Sequence, residues 1–518
     1  MQMIYNLKRK KILRFLILLV VTLLLFSALP GAFKVKAREK DETIVLKISN
    51  WEEYIDKGDL GEEPTDIGLG IISSKNGLIS DFEDWYYETY GKQVVVEYST
   101  FGTNEDLYSQ LILGDTFDLV CPSEYMIMKL INENMLQPLS ADFFDKSSEY
   151  NYYAKGVSPY IKEVFNSHEI NGEKWGAYAA GYMWGSIGIV YNPKKVNEED
   201  ASTWSILTNP KYARQVTIKD SARESYFPTL AILNKELLLS DAFKNTADYR
   251  SKLYALMNDT NPETIRRAED LLQKIRKNAY SFETDSGKSD MVTGKVVANF
   301  QWSGDAVYSM DQAEEDGLYL NYSVPNECSN SWFDGWVMLK SGIDGNVEKQ
   351  LAAQAFINFI SRPDNAIRNM NYIGYTSAIA GGDSDLIFDY VNYCYGAESG
   401  ETDTIEYPLG YFFNGDNDDE KYTLIALKSQ AKRQLFAQYP TKDVIDRSSV
   451  MGYFSEEANE QLNQMWVNVR CFNFDQVTKE TWVKVVVVCL GIALVITLFA
   501  NRQSIFRKPK KKGYFREE

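Results

Sequence analysis

The chain has 518 residues, of which 45% are hydrophobic and 14% aromatic, and its formal net charge is −17. This length predicts a large buried core divided between two lobes or domains. Because an acidic surface repels phosphate backbones, the charge argues against a nucleic-acid partner.

The N-terminal residues are typical of a secretory signal. A basic run within residues 1–14 precedes the apolar stretch Phe15–Phe26, and Val35-Lys36-Ala37 loosely matches the small-x-small cleavage rule. We therefore predict a signal peptide or an N-terminal anchor over residues 1–37.

A second apolar stretch, Val485–Ala500, lies near the C-terminus and lengthens to residues 482–500. Seven Lys and Arg residues follow it, and the positive-inside rule assigns such a tail to the cytoplasm. The sequence thus predicts a transmembrane helix over 482–500 and a basic cytoplasmic tail over 501–518. Residues 1–14 and 501–518 each carry +5, which leaves −27 for residues 15–500, predicted to lie outside the cell membrane.

The cysteines and the single histidine argue against several kinds of site. The five cysteines are scattered and form no CxxC pair, so neither a disulfide framework nor a zinc site is predicted. His168 alone cannot supply a multi-histidine metal site, and it makes Ser/His/Asp and Cys/His catalysis improbable. No phosphate-binding glycine motif is present, and no cofactor or metal is predicted. Hydrolysis by two carboxylates stays open, because 72 Asp and Glu residues always offer some pair.

The first half of the chain alternates strands with helices, which favours an α/β fold with a mainly parallel sheet. The predicted elements are a strand at Thr43–Ile48, an inserted loop at 57–77, a helix from Leu78 to Tyr90 ended by Gly91, a strand at Val94–Tyr98, a helix capped by Thr103, a strand at Phe117–Val120 and a helix at Tyr125–Asn134.

A second alternating unit runs from Ala177 to about Phe300. Its predicted strands are Ile187–Tyr191 and Val216–Ile218, and its predicted helices are Leu230–Leu238 and Thr264–Asn278. A further helix is predicted beyond this unit, at Leu351–Ser361. The stretch from Ala380 to Gln438 is rich in Gly, Asp and Tyr and predicts long surface loops.

Short clusters of aromatic and acidic residues recur at the ends of the predicted strands. In open α/β sheets this edge binds ligands, and aromatic faces with carboxylates suit an ammonium group. The clusters are Trp51-Glu52-Glu53-Tyr54, Pro122-Ser123-Glu124-Tyr125, Asp220–Glu224, Gln301–Gly304, Ser331–Gly335 and Ile373-Gly374-Tyr375.

The order of these clusters, together with Phe117–Tyr125, Gly185–Asn192 and Phe359–Asp364, resembles the spermidine/putrescine-binding protein family over residues 43–380. Members of that family are the periplasmic-type solute receptors of polyamine ABC importers. The resemblance implies a non-enzymatic receptor with a two-lobe, periplasmic-binding-protein-like α/β fold (type II). Its implied partners are a polyamine, the ABC permease and ATPase, and the membrane through the C-terminal helix.

The resemblance also implies where the lobes and the ligand contacts lie. Lobe 1 would comprise residues 43–176 and 332–380, and lobe 2 residues 177–331 and 381–475. The residues matching the family's ligand contacts are Trp51, Glu53, Tyr54, Ser123, Tyr125, Glu224, Trp302, Trp332, Asp334 and Tyr375. Among these, Glu224 and Asp334 would receive ammonium groups, and Trp302 and Trp332 would form aromatic walls.

The chain departs from the family at several positions. Ser221 replaces a second Asp, and Glu52 adds an acid where Thr or Gly is usual. The loop at 57–77 and the tyrosine-rich region at 386–420 are further differences. These departures leave open which polyamine, or which other small cation, is bound.

Each candidate has a structural alternative. The aromatic side chains could pack in a core, Glu224 and Asp334 could form structural ion pairs or lie at the surface, and Glu52 could be a solvent-exposed charge because adjacent strand residues face opposite ways. A membrane-anchored sensor or adhesion protein of the same fold, and a surface hydrolase using two acids, are the alternative functions.

Overall fold

The computed structural model describes residues 43–58, 66–73, 76–471, 484 and 486–492. Within these residues the strands are β1 (Ile44–Trp51), β2 (Val94–Phe101), β3 (Leu119–Val120), β4 (Leu136–Gln137), β5 (Glu169–Ile170), β6 (Glu173–Lys174), β7 (Ala179–Tyr191), β8 (Val216–Lys219), β9 (Ser281–Glu283), β10 (Ala298–Trp302), β11 (Asn321–Ser323), β12 (Ser329–Leu339), β13 (Thr376–Ser377), β14 (Thr404–Pro408), β15 (Thr423–Leu427) and β16 (Ser448–Ser449).

The α-helices pack around these strands. They are α1 (Gly77–Tyr90), α2 (Asn104–Leu113), α3 (Glu124–Asn132), α4 (Tyr152–Gly156), α5 (Pro159–Ser167), α6 (Glu198–Ala201), α7 (Ala222–Leu233), α8 (Lys235–Leu239), α9 (Asp241–Lys244), α10 (Tyr249–Met257), α11 (Pro262–Asn278), α12 (Ser286–Val292), α13 (Ser303–Glu315), α14 (Lys340–Ile343), α15 (Val347–Ile360), α16 (Pro363–Ile373), α17 (Leu386–Tyr395), α18 (Gly410–Phe413), α19 (Gln434–Gln438), α20 (Lys442–Asp446) and α21 (Glu456–Arg470).

The main path of the large sheet runs β2-β1-β3-β12-β7-β10-β8-β9. Its two ends are parallel, because β1 pairs with β2 and β3, and β8 pairs with β9 and β10, in the same direction. The centre is antiparallel: β7 runs against both β12 and β10. The prediction of a mainly parallel sheet is therefore wrong at the centre, where the long strands β7 and β12 join the two parallel groups.

Local sequence signals place several elements as predicted. Gly91 ends α1 in the left-handed conformation, with φ 69°. The Thr103 hydroxyl accepts a hydrogen bond from the backbone N–H of Asp106 at 3.0 Å and so caps α2. The helix predicted at Leu230–Leu238 is instead divided at Asn234 between α7 and α8.

The region after residue 380 is more regular than its composition predicted. It contains α17 and an antiparallel hairpin formed by β14 and β15. The aromatic side chains here are partly a core: Phe412 and Phe413 are buried and pack on Tyr439. Tyrosine and phenylalanine thus supply apolar area to this region rather than mark surface loops.

The predicted transmembrane helix over 482–500 is not supported. Among the described residues, no helix is both long enough and apolar enough to cross a bilayer. Within that range the structure describes only residues 484 and 486–492. Its other residues, the predicted tail at 501–518 and the predicted signal at 1–37 lie outside the described residues, as do residues 59–65 and 74–75 of the inserted loop.

A buried ionic network connects the segment after β1 with α16. The Arg368 guanidinium lies 3.0 Å from a carboxylate oxygen of Asp56 and 2.9 Å from one of Asp81. The backbone N–H of Asp56 also donates to the side-chain oxygen of Asn369. Asp56 is two residues after Tyr54, so this network helps to fix the segment that carries a predicted ligand contact.

Candidate ligand-binding site

Asp334 is the centre of the first group of site residues. It lies at a register shift between β12 and β7, where Asp334 alone on β12 is opposite two residues, Tyr182 and Met183, on β7. Such a bulge re-aims a side chain. The buried carboxylate accepts hydrogen bonds from the Tyr54 hydroxyl and the Ser123 hydroxyl, each at 2.7 Å. Two predicted contacts that follow β1 and β3 are thus brought to the same carboxylate.

Aromatic rings surround this carboxylate. The Tyr375 ring lies 5.3 Å from the Tyr54 ring and 5.5 Å from the Trp332 ring, measured between centroids. A Cβ atom at Gly304 would lie 2.2 Å from the Tyr375 ring, so only glycine permits this close approach. We call Tyr54, Ser123, Trp332, Asp334 and Tyr375 the Asp334 cluster.

Asp334 has no cationic partner among the described residues, since no Lys or Arg there forms an ion pair with it. Burial raises the pKa of the Asp334 carboxyl to about 6, although the hydrogen bonds from Ser123 and Tyr54 oppose this rise. A buried carboxylate that lacks a counter-ion is costly unless a cation joins it. The Asp334 cluster therefore has the charge and the aromatic faces to bind an ammonium group.

Glu224 is the centre of a second group, formed where β8 and β10 end. The indole N–H of Trp302 donates to a Glu224 carboxylate oxygen at 2.9 Å. The ammonium of Lys219 lies 4.0 Å from the centroid of the Trp302 ring. Burial raises the pKa of the Glu224 carboxyl to about 8, whereas the Lys219 charge and the Trp302 hydrogen bond lower it.

Tyr125 completes this second group. Its hydroxyl donates to Glu105 at 3.1 Å, and the Arg223 guanidinium lies 4.8 Å from the centroid of its ring. The Tyr125 pKa is raised well above its ordinary value, chiefly by burial and then by the Glu105 charge, and Glu224 contributes in the same direction. We call Tyr125, Glu224 and Trp302 the Glu224 cluster.

The two clusters meet at β7 and at the start of α13. A Cβ atom at Gly185 would collide with the Ser303 hydroxyl and with the Trp332 ring. Ser303 follows Trp302 directly, and Gly304 packs against Tyr375. The residues after Trp302 therefore contact members of the Asp334 cluster, so the two groups are neighbours.

Two predicted contacts lie outside both clusters. Glu53 is exposed, has a left-handed φ of 52°, and pairs with Lys57 at 2.7 Å. Trp51 packs on Phe101 at 4.8 Å, and its buried indole N–H has no hydrogen-bond partner among the described residues. Glu52 is exposed, which matches the surface alternative stated for it.

The structure adds residues that the motifs did not single out. Asp305 accepts a hydrogen bond from the Tyr375 hydroxyl at 3.0 Å, and the Tyr182 hydroxyl donates to the backbone oxygen of Tyr54 at 2.6 Å. Asp305 directly follows the Gln301–Gly304 motif, so its position in the sequence could have indicated it as a site residue. Tyr182 lies inside the long strand β7, and no local pattern marks it.

A mixed α/β sheet with polar and aromatic clusters at its strand ends is the arrangement of a ligand-binding protein. The family model described as bacterial extracellular solute-binding protein matches residues 78–384. The chain belongs to this family, and it is a binding protein rather than an enzyme. The resemblance to the family's spermidine/putrescine-binding members is confirmed.

Curated relatives agree with this assignment, and a solved structure has a similar fold. The chain is 25% identical over 347 residues to the spermidine/putrescine-binding periplasmic protein of Escherichia coli (strain K12), covering 66% of this chain and 80% of the relative. It is 25% identical over 350 residues to the putrescine-binding periplasmic protein PotF of the same organism, covering 65% and 78%. The fold matches the spermidine/putrescine substrate-binding protein PotD from Streptococcus pneumoniae with a TM-score of 0.53 and 23% identity, over 83% of this chain and 99% of that one.

Proposed function

We propose that this protein is an extracytoplasmic receptor that binds a polyamine and delivers it to an ABC importer. The observation that carries the proposal is the buried Asp334 carboxylate, which has no cationic partner in the described part of the chain. It accepts a hydrogen bond from Tyr54, whose ring packs on Tyr375, which in turn packs on Trp332. An ammonium group would supply the missing charge and would also meet the ring faces. The names of the curated relatives support a polyamine as the ligand.

We further propose two lobes that close around the ligand. Lobe 1 comprises residues 43–176 and 332–380, and lobe 2 comprises 177–331 and 381–475. Two features support this division: the parallel groups containing β1 and β8, and their connection through β7 and β12. Bending of these two connecting strands would let Asp334 and Glu224 approach the ligand from either side, after which the closed form would dock on the permease.

Isothermal titration of the purified full chain with putrescine and spermidine tests the proposal. We expect a dissociation constant in the micromolar range for at least one polyamine, which corresponds to about 8 kcal/mol. Two carboxylates and several aromatic contacts can supply this free energy after ordering costs. Absence of heat, together with an unchanged melting temperature in the presence of every polyamine tested, would contradict the proposal.

Polyamine affinity is expected to fall as the pH is lowered from 7.5 to 5. Burial raises the carboxyl pKa of Asp334 to about 6, so acidification over this range neutralises it. The Glu224 carboxyl, with a pKa of about 8, is already largely protonated at pH 7.5 and loses its remaining charge. At pH 5 a group with a pKa of about 6 is about 90% protonated, which predicts at least about tenfold weaker binding. Titration calorimetry at both pH values checks this, and equal dissociation constants would contradict the assigned role of the carboxylates.

A further inference from the structure

The chain places its own cations on two of the rings that were predicted to receive a ligand. Lys219 lies over Trp302, with its ammonium 4.0 Å from the ring centroid, and Arg223 lies over Tyr125 at 4.8 Å. Within the described residues, no Lys or Arg stacks in this way on Tyr54, Trp332 or Tyr375. The Glu224 cluster therefore already contains positive charge, whereas the Asp334 cluster does not.

Both cations are fixed in place. The Lys219 side chain is 1% exposed; its ammonium donates to the backbone oxygen of Thr284 at 2.8 Å and lies 3.3 Å from Glu283. Arg223 is buried, donates to the backbone oxygen of Gly452 and stacks 3.5 Å from the ring centroid of Phe454. Because these contacts hold them, neither cation can move away when a ligand ammonium approaches.

The acids around the Glu224 cluster are already opposed by the chain's own cations. Lys219 pairs with Glu283 and also acts on Glu224, and Arg223 acts on Glu105 and Glu124. Asp220 pairs with Arg470. Ser221 adds no charge, and its hydroxyl caps α7 by accepting from the backbone N–H of Glu224.

In the Asp334 cluster, by contrast, no cation of the described residues pairs with the Asp334 carboxylate. The Glu124 carboxylate is 1% exposed, and its oxygens accept from the backbone N–H of Phe333 and from the Asn330 amide. Asp305 is paired with Lys288 at 3.4 Å. The chain's own cations therefore oppose the acids of the Glu224 cluster but not Asp334.

We propose that Lys219 and Arg223 are specificity-determining residues that make this site select a diamine over a triamine. This inference rests on the proposed polyamine-binding function. A diamine brings one ammonium to Asp334 and one to Glu224. A triamine brings a third ammonium, which meets the two fixed cations by like-charge repulsion.

Titration of the full chain with putrescine and spermidine, before and after the substitution Ser221→Asp, tests this proposal. Aspartate is as good a helix cap as serine, so α7 is preserved while one carboxylate is added. We expect the unaltered chain to bind putrescine at least about tenfold more tightly than spermidine, and Ser221→Asp to reduce that preference at least about tenfold. Lys219→Met should shift the preference in the same direction.

Ser240→Asp is the matched control. Ser240 caps α9, and its hydroxyl bonds only within that turn, to Phe243 and Leu237. Its substitution should leave the preference unchanged. The proposal is overturned if the unaltered chain binds spermidine as tightly as putrescine, or if Ser221→Asp folds normally but leaves the preference as it was. Absence of binding for both amines would instead reject the proposed function itself.

Discussion

Replacing Asp334 with asparagine is expected to weaken putrescine binding by about 100-fold or more, equivalent to about 2.7 kcal/mol. Removing one partner of a buried charge pair leaves the ligand ammonium desolvated without a counter-ion, and such losses typically reach about 2–5 kcal/mol. Asparagine keeps an acceptor oxygen for Tyr54 or Ser123, so the local hydrogen bonding is partly retained. Titration calorimetry on the folded variant measures the effect directly.

Asp418→Asn is the control for this substitution, because Asp418 is an exposed acid in the turn before β15. It removes the same charge and should leave affinity within about twofold, as expected for a screened surface charge. If Asp334→Asn bound putrescine as tightly as the control variant, Asp334 would not be the group that receives the ammonium.

Replacing Arg368 with leucine is expected to lower the free energy of unfolding by about 3–5 kcal/mol. The substitution leaves Asp56 buried without this cation and removes one partner of Asp81. Uncompensated charges in an interior have effects of this size. Urea denaturation followed by far-ultraviolet circular dichroism would measure the loss.

Arg266→Leu provides the comparison, since Arg266 is exposed and pairs only with Glu263 and Asp270 on its own helix. Its removal should change stability by less than about 0.5 kcal/mol. Adding Asp56→Asn to Arg368→Leu should restore part of the lost stability, because the unpaired charge is then removed as well. A double variant no more stable than Arg368→Leu would contradict the buried-charge explanation.

The sequence indicated much of the site because its signals are local. Trp302, Glu224 and Ser123 all lie at or just beyond strand ends, where an α/β fold collects its ligand contacts. The end of α1 at Gly91 and the start of α2 at Thr103 could also be predicted, since a helix cap depends on a few neighbouring residues. Patterns of this kind need no knowledge of the tertiary structure.

The remaining features depend on contacts between distant residues. The motif containing Trp51 and Glu53 could not show that Glu53 turns outward to Lys57. Equally, no local pattern places the Lys219 ammonium over the Trp302 ring, which lies 83 residues further along the chain. The antiparallel pairing of β7 with β12 was missed for the same reason. Alternating strands and helices predict parallel pairing between strands that are consecutive in the chain, and β7 and β12 are not consecutive.

The prediction of a transmembrane helix failed for a different reason. Hydropathy and flanking charge define a candidate span, but they do not establish that a helix of sufficient length forms. Among the described residues, no helix is long and apolar enough to cross a bilayer. The binding account does not depend on that segment, since both clusters lie between residues 54 and 375.

A crystal structure of the protein with putrescine tests the central claim most directly. We predict one ligand nitrogen at about 2.7–3.2 Å from an Asp334 carboxylate oxygen and among the rings of Tyr54, Trp332 and Tyr375, with the other nitrogen at Glu224. A bound putrescine whose nitrogens contact neither Asp334 nor Glu224 would contradict the account.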